Sequence, residues 1–282
     1  MYILTFNLED WYHRLAYPKT MDMQYWGGFE SRIEAYTEKI LFFLEEENQK
    51  ATFFVLGWIA EKYPEVVKKV ISAGHEIGVH SYAHELVYLQ NREEFREDTK
   101  KAIDILEDIC GKKMTLYRAP GFSVTESQYW VFEVLAEFGI TTDSSIFPAS
   151  RPHGGFRGFP ISKPCILDVH GCKIKEFPVN TCDFYGVRTI YSGGEYFRLF
   201  PYSFIKKKTE KSVYIMSYFR FRDFDPEQPR LRGLNPFRYF KSYYGLDGNL
   251  KKLRTWVRDF EFVDLQTADL KMPWDIVPIM KV

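Results

Sequence analysis

The chain has 282 residues, 45% of them hydrophobic and 27% charged, a balance that excludes a wholly disordered chain and fits one large or two small folded domains. Thirty-eight Lys and Arg offset 38 Asp and Glu, so the net charge is zero. The broad basic footprint of a nucleic-acid partner is missing, although a local basic patch stays open. No apolar stretch approaches the roughly 18 residues of a membrane span. The opening MYILTFNLEDWYH has no basic leader, long apolar run or small-residue cleavage site, so the expected location is the cytoplasm. Cys110, Cys165, Cys172 and Cys182 form no CxxC pair, which argues against a disulfide scaffold or a cysteine zinc site. Aromatics are in excess at 18%. They can supply core, make stacking surfaces in a cleft or cover the interface of a homo-oligomer.

Tyr2–Phe6 reads as a short strand that ends in Asn7, Glu9 and Asp10. Residues 31–47 carry Ile33, Tyr36, Ile40, Leu41 and Leu44 at helical spacing. Residues 51–56 are a continuous apolar strand, as expected when both faces are buried. A helix over 64–72 stops at Gly74, and a strand over 76–79 runs into His80. The next helix spans 92–109, followed by a strand at Leu116–Tyr117 that leads to Arg118. A further helix starts at Thr125, and residues 140–142 lead into Asp143. Beyond residue 147 the pattern loosens. Residues 148–165 read as an extended insertion, 169–176 as a hairpin around Gly171, and 192–194 as a turn. A strand at 213–219, a loop at 223–236, a helix at 250–259 and a strand at 260–265 complete the chain. No repeat or linker is visible, so a single domain over 1–282 is expected, with a regular half (1–147) and an elaborated half (148–282).

Strand–helix alternation of this kind predicts an α/β fold with parallel strands. Reactive residues in such folds collect at the carboxyl ends of strands. Asn7, Glu9, Asp10, His80, His84, Arg118 and Asp143 all fall there. In His80-Ser-Tyr-Ala-His84 two imidazoles can share one metal if the segment turns helically, and either Glu9 or Asp10 can add a carboxylate. Such a set suits zinc, cobalt or iron. His75 precedes its strand and reads as an ordinary core or surface histidine. Arg118 is either a surface ion pair or a group that orients a carboxylate. Asp143 either caps a helix or contacts Arg118.

Taken in order, TFNLEDW, HSYAH and RAPGF resemble the three motifs of the NodB-like polysaccharide deacetylases. DSSIFP (143–148), HGGF (153–156), EFPVNT (176–181), SGGEYFR (192–198) and RDFDPEQP (222–229) are similar to the cytoplasmic branch tied to exopolysaccharide and capsule gene clusters. The resemblance implies a distorted (β/α)7 barrel. It implies hydrolysis of the N-acetyl group of an amino sugar in a glycan or glycan precursor, with one divalent metal, zinc first. His80 and His84 would be ligands, with Glu9 preferred over Asp10 because strand alternation puts it on the same face as Asn7. Arg118 would orient the base, and Phe122, Tyr196 and Tyr218 would line the sugar groove.

Two positions depart from that pattern. The family's base is an aspartate where Asn7 stands, and an amide cannot take a proton from water at neutral pH. Arg220 stands where a histidine acid is expected. Arginine stays protonated, though it can still stabilise an oxyanion. The expected function is a metal-dependent deacetylase with impaired proton transfer. The alternative is an inactive carbohydrate-binding or scaffold homologue in polysaccharide assembly.

Overall fold

The computed structural model describes residues 1–15, 18–150, 154–184, 186–231 and 233–281. His153 of the HGGF motif lies outside them.

The strands are β1 (Tyr2–Ile3), β2 (Thr5–Leu8), β3 (Thr52–Val55), β4 (Glu76–Val79), β5 (Leu116–Tyr117), β6 (Thr142–Asp143), β7 (Cys165–Val169), β8 (Cys172–Glu176), β9 (Cys182–Phe184), β10 (Val187–Thr189), β11 (Ile215–Met216), β12 (Phe219–Arg220), β13 (Phe262–Val263) and β14 (Ile279–Lys281). One sheet runs β12-β2-β3-β4-β5-β6-β8-β7-β14, and a second runs β11-β1-β13. Pairing is parallel from β12 through β8 and between β1 and β11. The staves β1/β2, β3, β4, β5, β6, β8 and β11/β12 make the distorted (β/α)7 barrel. No ladder joins β8 to β11 among the described residues. Side chains bridge that seam: Tyr214 donates its hydroxyl to the Pro178 carbonyl (2.8 Å), and Asn180 Oδ1 accepts from Met216 N (2.9 Å).

β2, β3 and β4 are buried at every position. Helices at Ile33–Glu46, Pro64–Ser72, Arg92–Cys110 and Trp130–Glu137 pair with these strands in sequence. The longest is fixed at both ends. Asn91 and Glu94 form a reciprocal capping box, and Gly111 closes it at φ +64°.

The sequence places most of the first-half elements within a residue or two. The differences have local causes. The expected first strand breaks at Leu4, whose N–H goes to Val263 O (2.9 Å) while its carbonyl accepts from Thr52 N (3.1 Å), so the chain changes neighbours there. The helix expected from Thr125 starts at Trp130, because a turn closed by Gln128 N to Thr125 O (3.1 Å) comes first. The strand expected over 213–219 splits at Ser217, whose side chain and carbonyl are both taken by Thr5. The helices Gly57–Lys62, Gly194–Leu199, Tyr202–Glu210, Pro236–Tyr243 and Leu265–Lys271 are not expected from the sequence; three of them have only six or seven residues, too few for periodicity to reveal.

Gly78 matters to the site through its neighbour. A Cβ there would lie 2.8 Å from the Phe54 ring and 3.1 Å from Leu116 Cβ. That ring in turn carries the Arg118 guanidinium at 4.0 Å. We expect Gly78→Val to lower stability to urea by about 1–3 kcal/mol through overpacking.

At the opposite strand ends, burial pushes the Glu76 carboxyl up to about 7 even though Thr52 and Gln266 donate to it. A folded value above the ordinary 4.5 favours the protonated form. Its stabilising contribution is therefore full below pH 4.5 and is lost as pH rises through about 7. We expect Glu76→Gln to remove this component from the pH profile of unfolding free energy, with the largest gain over wild type above pH 7.

Candidate active site

Glu9, His80 and His84 are buried, and one ligand atom from each lies within 4.8 Å of the others. Glu9 follows β2, and His80 follows β4. Glu9 Oε2 is 3.1 Å from His84 Nε2. His80 Nδ1 sits 2.6 Å from the Arg118 carbonyl, an acceptor only, so this nitrogen carries the hydrogen and Nε2 presents a lone pair to the cluster. Burial pushes the His80 imidazole down to about 3, which keeps it neutral as a ligand must be. Burial opposes the charge of Glu9. His84, then His80 and Arg220, outweigh it and hold the carboxyl well below its usual range. Two imidazole nitrogens and a carboxylate, with open positions toward a cavity, fit a divalent metal.

The histidine segment is not a helical turn. Ser81 and His84 have φ of +64° and +55°, and these left-handed residues fold the loop back. Asp98 holds it there, accepting from Tyr82 N (2.9 Å) and Ala83 N (2.8 Å), while His84 N donates to Ser81 Oγ (3.1 Å). Asp98 stands mid-helix with no motif around it, so sequence offers no signal for this role.

Arg118 is fully buried. Nη1 donates to Thr5 Oγ1 (2.8 Å) and Asn7 Oδ1 (3.1 Å), and Nη2 to Ser144 Oγ (3.0 Å). Its surface ion-pair alternative is thereby excluded. Thr5 lies two residues before Asn7 on one strand face, a signal the spacing did contain. Because Arg118 can only donate, the Asn7 oxygen must face it. The Asn7 amide then points Nδ2 at Glu9 Oε1 (3.2 Å) and His80 Nε2 (3.1 Å).

Two expected site residues are placed elsewhere. Asp10 does not join the metal cluster. Its carboxylate accepts from Trp11 N (2.7 Å), Ser31 Oγ (2.6 Å) and Arg32 N (2.9 Å), and so ties the loop after β2 to the next helix. Its own N–H donates to His13 Nδ1 (2.8 Å). Asp143 makes no hydrogen bond to Arg118. Its carboxylate is taken by Ser145 N and Oγ (both 2.7 Å). Asp143 stands in register with Glu176, and burial together with this neighbour drives Glu176 well above the usual carboxyl range. The contact expected of Asp143 is made by Ser144. His75 packs against Phe53, away from the cluster.

A cavity of about 280 Å³ opens on Asn7, Glu9 and His84. Phe122, Tyr196 and Tyr218 all line it, as the sequence suggests, and the Phe122 and Tyr218 rings meet edge to face at 4.9 Å. Arg220 lines it as well. β12 pairs with β2 so that Arg220 is the register partner of Asn7, which sets the two departures from the family pattern side by side. Arg220 Nη2 bonds Glu195 Oε2 (3.0 Å) and Nε bonds Asp223 Oδ2 (3.3 Å). Against burial, these carboxylates raise its affinity for the proton.

Comparison with known proteins finds two matching regions. Residues 20–142 match the polysaccharide deacetylases, and residues 144–269 match a domain of unknown function, DUF3473. A peptidoglycan-N-acetylglucosamine deacetylase of Bacillus cereus is 39% identical over 99 residues, 35% of this chain and 36% of that protein. The peptidoglycan-N-acetylmuramic acid deacetylase PdaC of Bacillus subtilis is 37% identical over 86 residues, 30% of this chain and 18% of that protein. The chain thus spans about a third or less of the length of these relatives. The crystal structure of a Mycobacterium smegmatis protein assigned as a polysaccharide deacetylase aligns with 100% of this chain and 92% of its own, at TM-score 0.67 and 18% identity, which shows a shared fold. Residues 20–142 thus match a polysaccharide deacetylase domain, and the chain as a whole shares the fold of that crystal structure.

Proposed function

We propose that this protein is a metal-dependent hydrolase that removes N-acetyl groups from an amino-sugar glycan or its precursor, with proton transfer weakened at Asn7 and Arg220. The observation that carries the reading is the Glu9–His80–His84 cluster, with His80 locked in the ligand tautomer beside an aromatic-walled cavity. The relatives named as deacetylases of peptidoglycan sugars support the bond type. We read the chain as one domain, because β8, β11 and β12 from its second half complete the barrel begun by the first. The cytoplasmic exopolysaccharide setting implied by the motifs belongs to the same proposal.

Glu9, His80 and His84 would hold the metal, which when bound polarises the amide carbonyl and acidifies water. Arg118 fixes the Asn7 side chain, and Asn7 can position a water by hydrogen bonding but cannot take its proton. Arg220 presents a permanent positive charge on the cavity wall, suited to a developing oxyanion but not to protonating a leaving amine. Loss of one acid/base group costs about 10²–10⁴-fold in rate. A second reading, a carbohydrate binder without turnover, is favoured by the two carboxylates that hold Arg220 and by the amide hydrogens of Asn7 on the ligand atoms.

Acetate release from N-acetylated oligosaccharides with added zinc or cobalt tests this. We expect Asn7→Asp/Arg220→His to exceed the native rate by at least about 10²-fold, with His80→Ala abolishing release in both backgrounds. Native silence beside an active double replacement would favour the binder. No acetate from either chain would count against the hydrolase.

Metal binding is checked separately. We expect one zinc per chain by calorimetry. Glu9→Ala or His80→Ala should weaken it more than about 100-fold, beyond the range typical of outer-shell changes, and Asp10→Asn should leave the stoichiometry intact.

A further inference from the structure

The cavity is crowded with cations. Arg14, Arg188, Arg220, Arg222, Arg238 and Lys241 line it, against the carboxylates of Glu9 and Glu195. The whole chain is neutral, so this is a local excess.

Most of these cations have partners. Arg220 is held by Glu195 and Asp223, and Lys241 approaches Glu195 at 3.6 Å. Arg188 donates to the Pro148 carbonyl (3.2 Å). Arg14 reaches only hydroxyls, Tyr243 (3.2 Å) and Ser242 (2.5 Å), with no carboxylate in ion-pair range among the described residues. Arg222 is the exception. Its Nε and Nη1 are buried and have no hydrogen-bond partner. Burial, together with Arg220, Arg14 and Arg198, works against its charge, and Asp223 opposes them. That acid is already shared between Arg220 and Arg198 (3.5 Å).

Arg222 as a whole is half-buried and lines the cavity, and a guanidinium with two buried, unmade donors is costly to keep. An anion in the cavity would supply the missing acceptors, and the planar fork of Arg matches the paired oxygens of a carboxylate or phosphate. We propose that the acetylated sugar taken by this cavity carries an anionic group, a carboxylate or a phosphate, which docks on Arg222 with Arg14 beside it. This rests on reading the cavity as the deacetylase substrate site. The exposed Arg238 and the half-buried Lys241 add attraction at the rim.

Calorimetric binding of three probes tests it: N-acetylglucosamine, N-acetylglucosamine 1-phosphate and N-acetylmuramic acid. We expect at least one acidic probe to bind about tenfold or more tightly than the neutral one, with the preference shrinking as salt rises. Preference for the phosphate points to an activated sugar precursor, and preference for the carboxylate to an acidic glycan. Arg222→Met should bring the acidic probe down to the neutral level and leave neutral binding unchanged. An anion drawn by a bound metal would survive that substitution. Removing an uncompensated charge should leave the melting temperature of Arg222→Met at or above wild type, so lost binding is not lost folding. Arg238→Met, at an exposed position, should weaken only the acidic probes. Equal binding of all three probes, or a preference that persists in Arg222→Met, would overturn the proposal. Acetate release from neutral oligosaccharides without acidic preference would sink it and spare the hydrolase. Acidic preference without any acetate release would do the reverse.

Discussion

The Arg118 guanidinium is fully buried, and the ends of β2 through β6 are positioned around it. It donates to Thr5 and Asn7 on β2, lies on the Phe54 ring of β3, and bonds Ser144 just past β6. Its own carbonyl receives the His80 ring that follows β4. Burial pulls its affinity for the proton down to about 9, partly offset by Asp143, Glu176 and two tyrosines. It therefore stays charged near neutral pH, and a charge with so little water must be met by fixed groups. The carboxyl ends of these strands supply those groups. One residue thus fixes the His80 tautomer through its backbone carbonyl and the orientation of Asn7 through its side chain.

That arrangement separates two tasks usually seen in one site. Holding a metal needs lone pairs at the right spacing, and Glu9, His80 and His84 retain them. Moving protons needs groups that change charge, and the register partners Asn7 and Arg220 do not. Asparagine is isosteric with aspartate, so the Arg118 contact is made without a carboxylate's basicity. Arg220 is larger than an imidazole and carries a fixed charge. It is accommodated because Glu195 and Asp223 neutralise it and Gly194, whose Cβ would approach its Nη2 to 3.2 Å, leaves room.

Much of this was legible in the sequence because it is local. Short apolar runs that end in polar residues gave β2 to β6, and the HSYAH spacing brought out both imidazoles. The choice between Glu9 and Asp10 followed from side-chain alternation, and the structure agrees with the alternation. Non-local facts were hidden. Nothing around Asp98 announces that it braces the histidine loop, because its role lies in accepting two backbone N–H groups from a segment some fifteen residues away. Asp143 was misplaced because a motif shows which residues are present but not which of three neighbours turns inward; Ser144 does. The second half was read poorly because its helices are short and its strands are broken by side-chain bonds such as that of Ser217 with Thr5.

The pairing of β1 has a bearing on how the chain is made. Tyr2 and Ile3 are hydrogen-bonded to Ile215–Met216 on one side and Phe262–Val263 on the other. Both neighbours leave the ribosome more than two hundred residues later. Through most of synthesis the first strand is thus an open, apolar template, with β2 beside it able to pair only with β3. The barrel cannot close progressively from its amino end; closure waits until β11 and β12 have been made, about three quarters of the way along the chain. For this fold the nascent state, rather than the finished one, carries the greater exposure to mispairing, and the aromatic surplus that later fills the core is what must be shielded meanwhile.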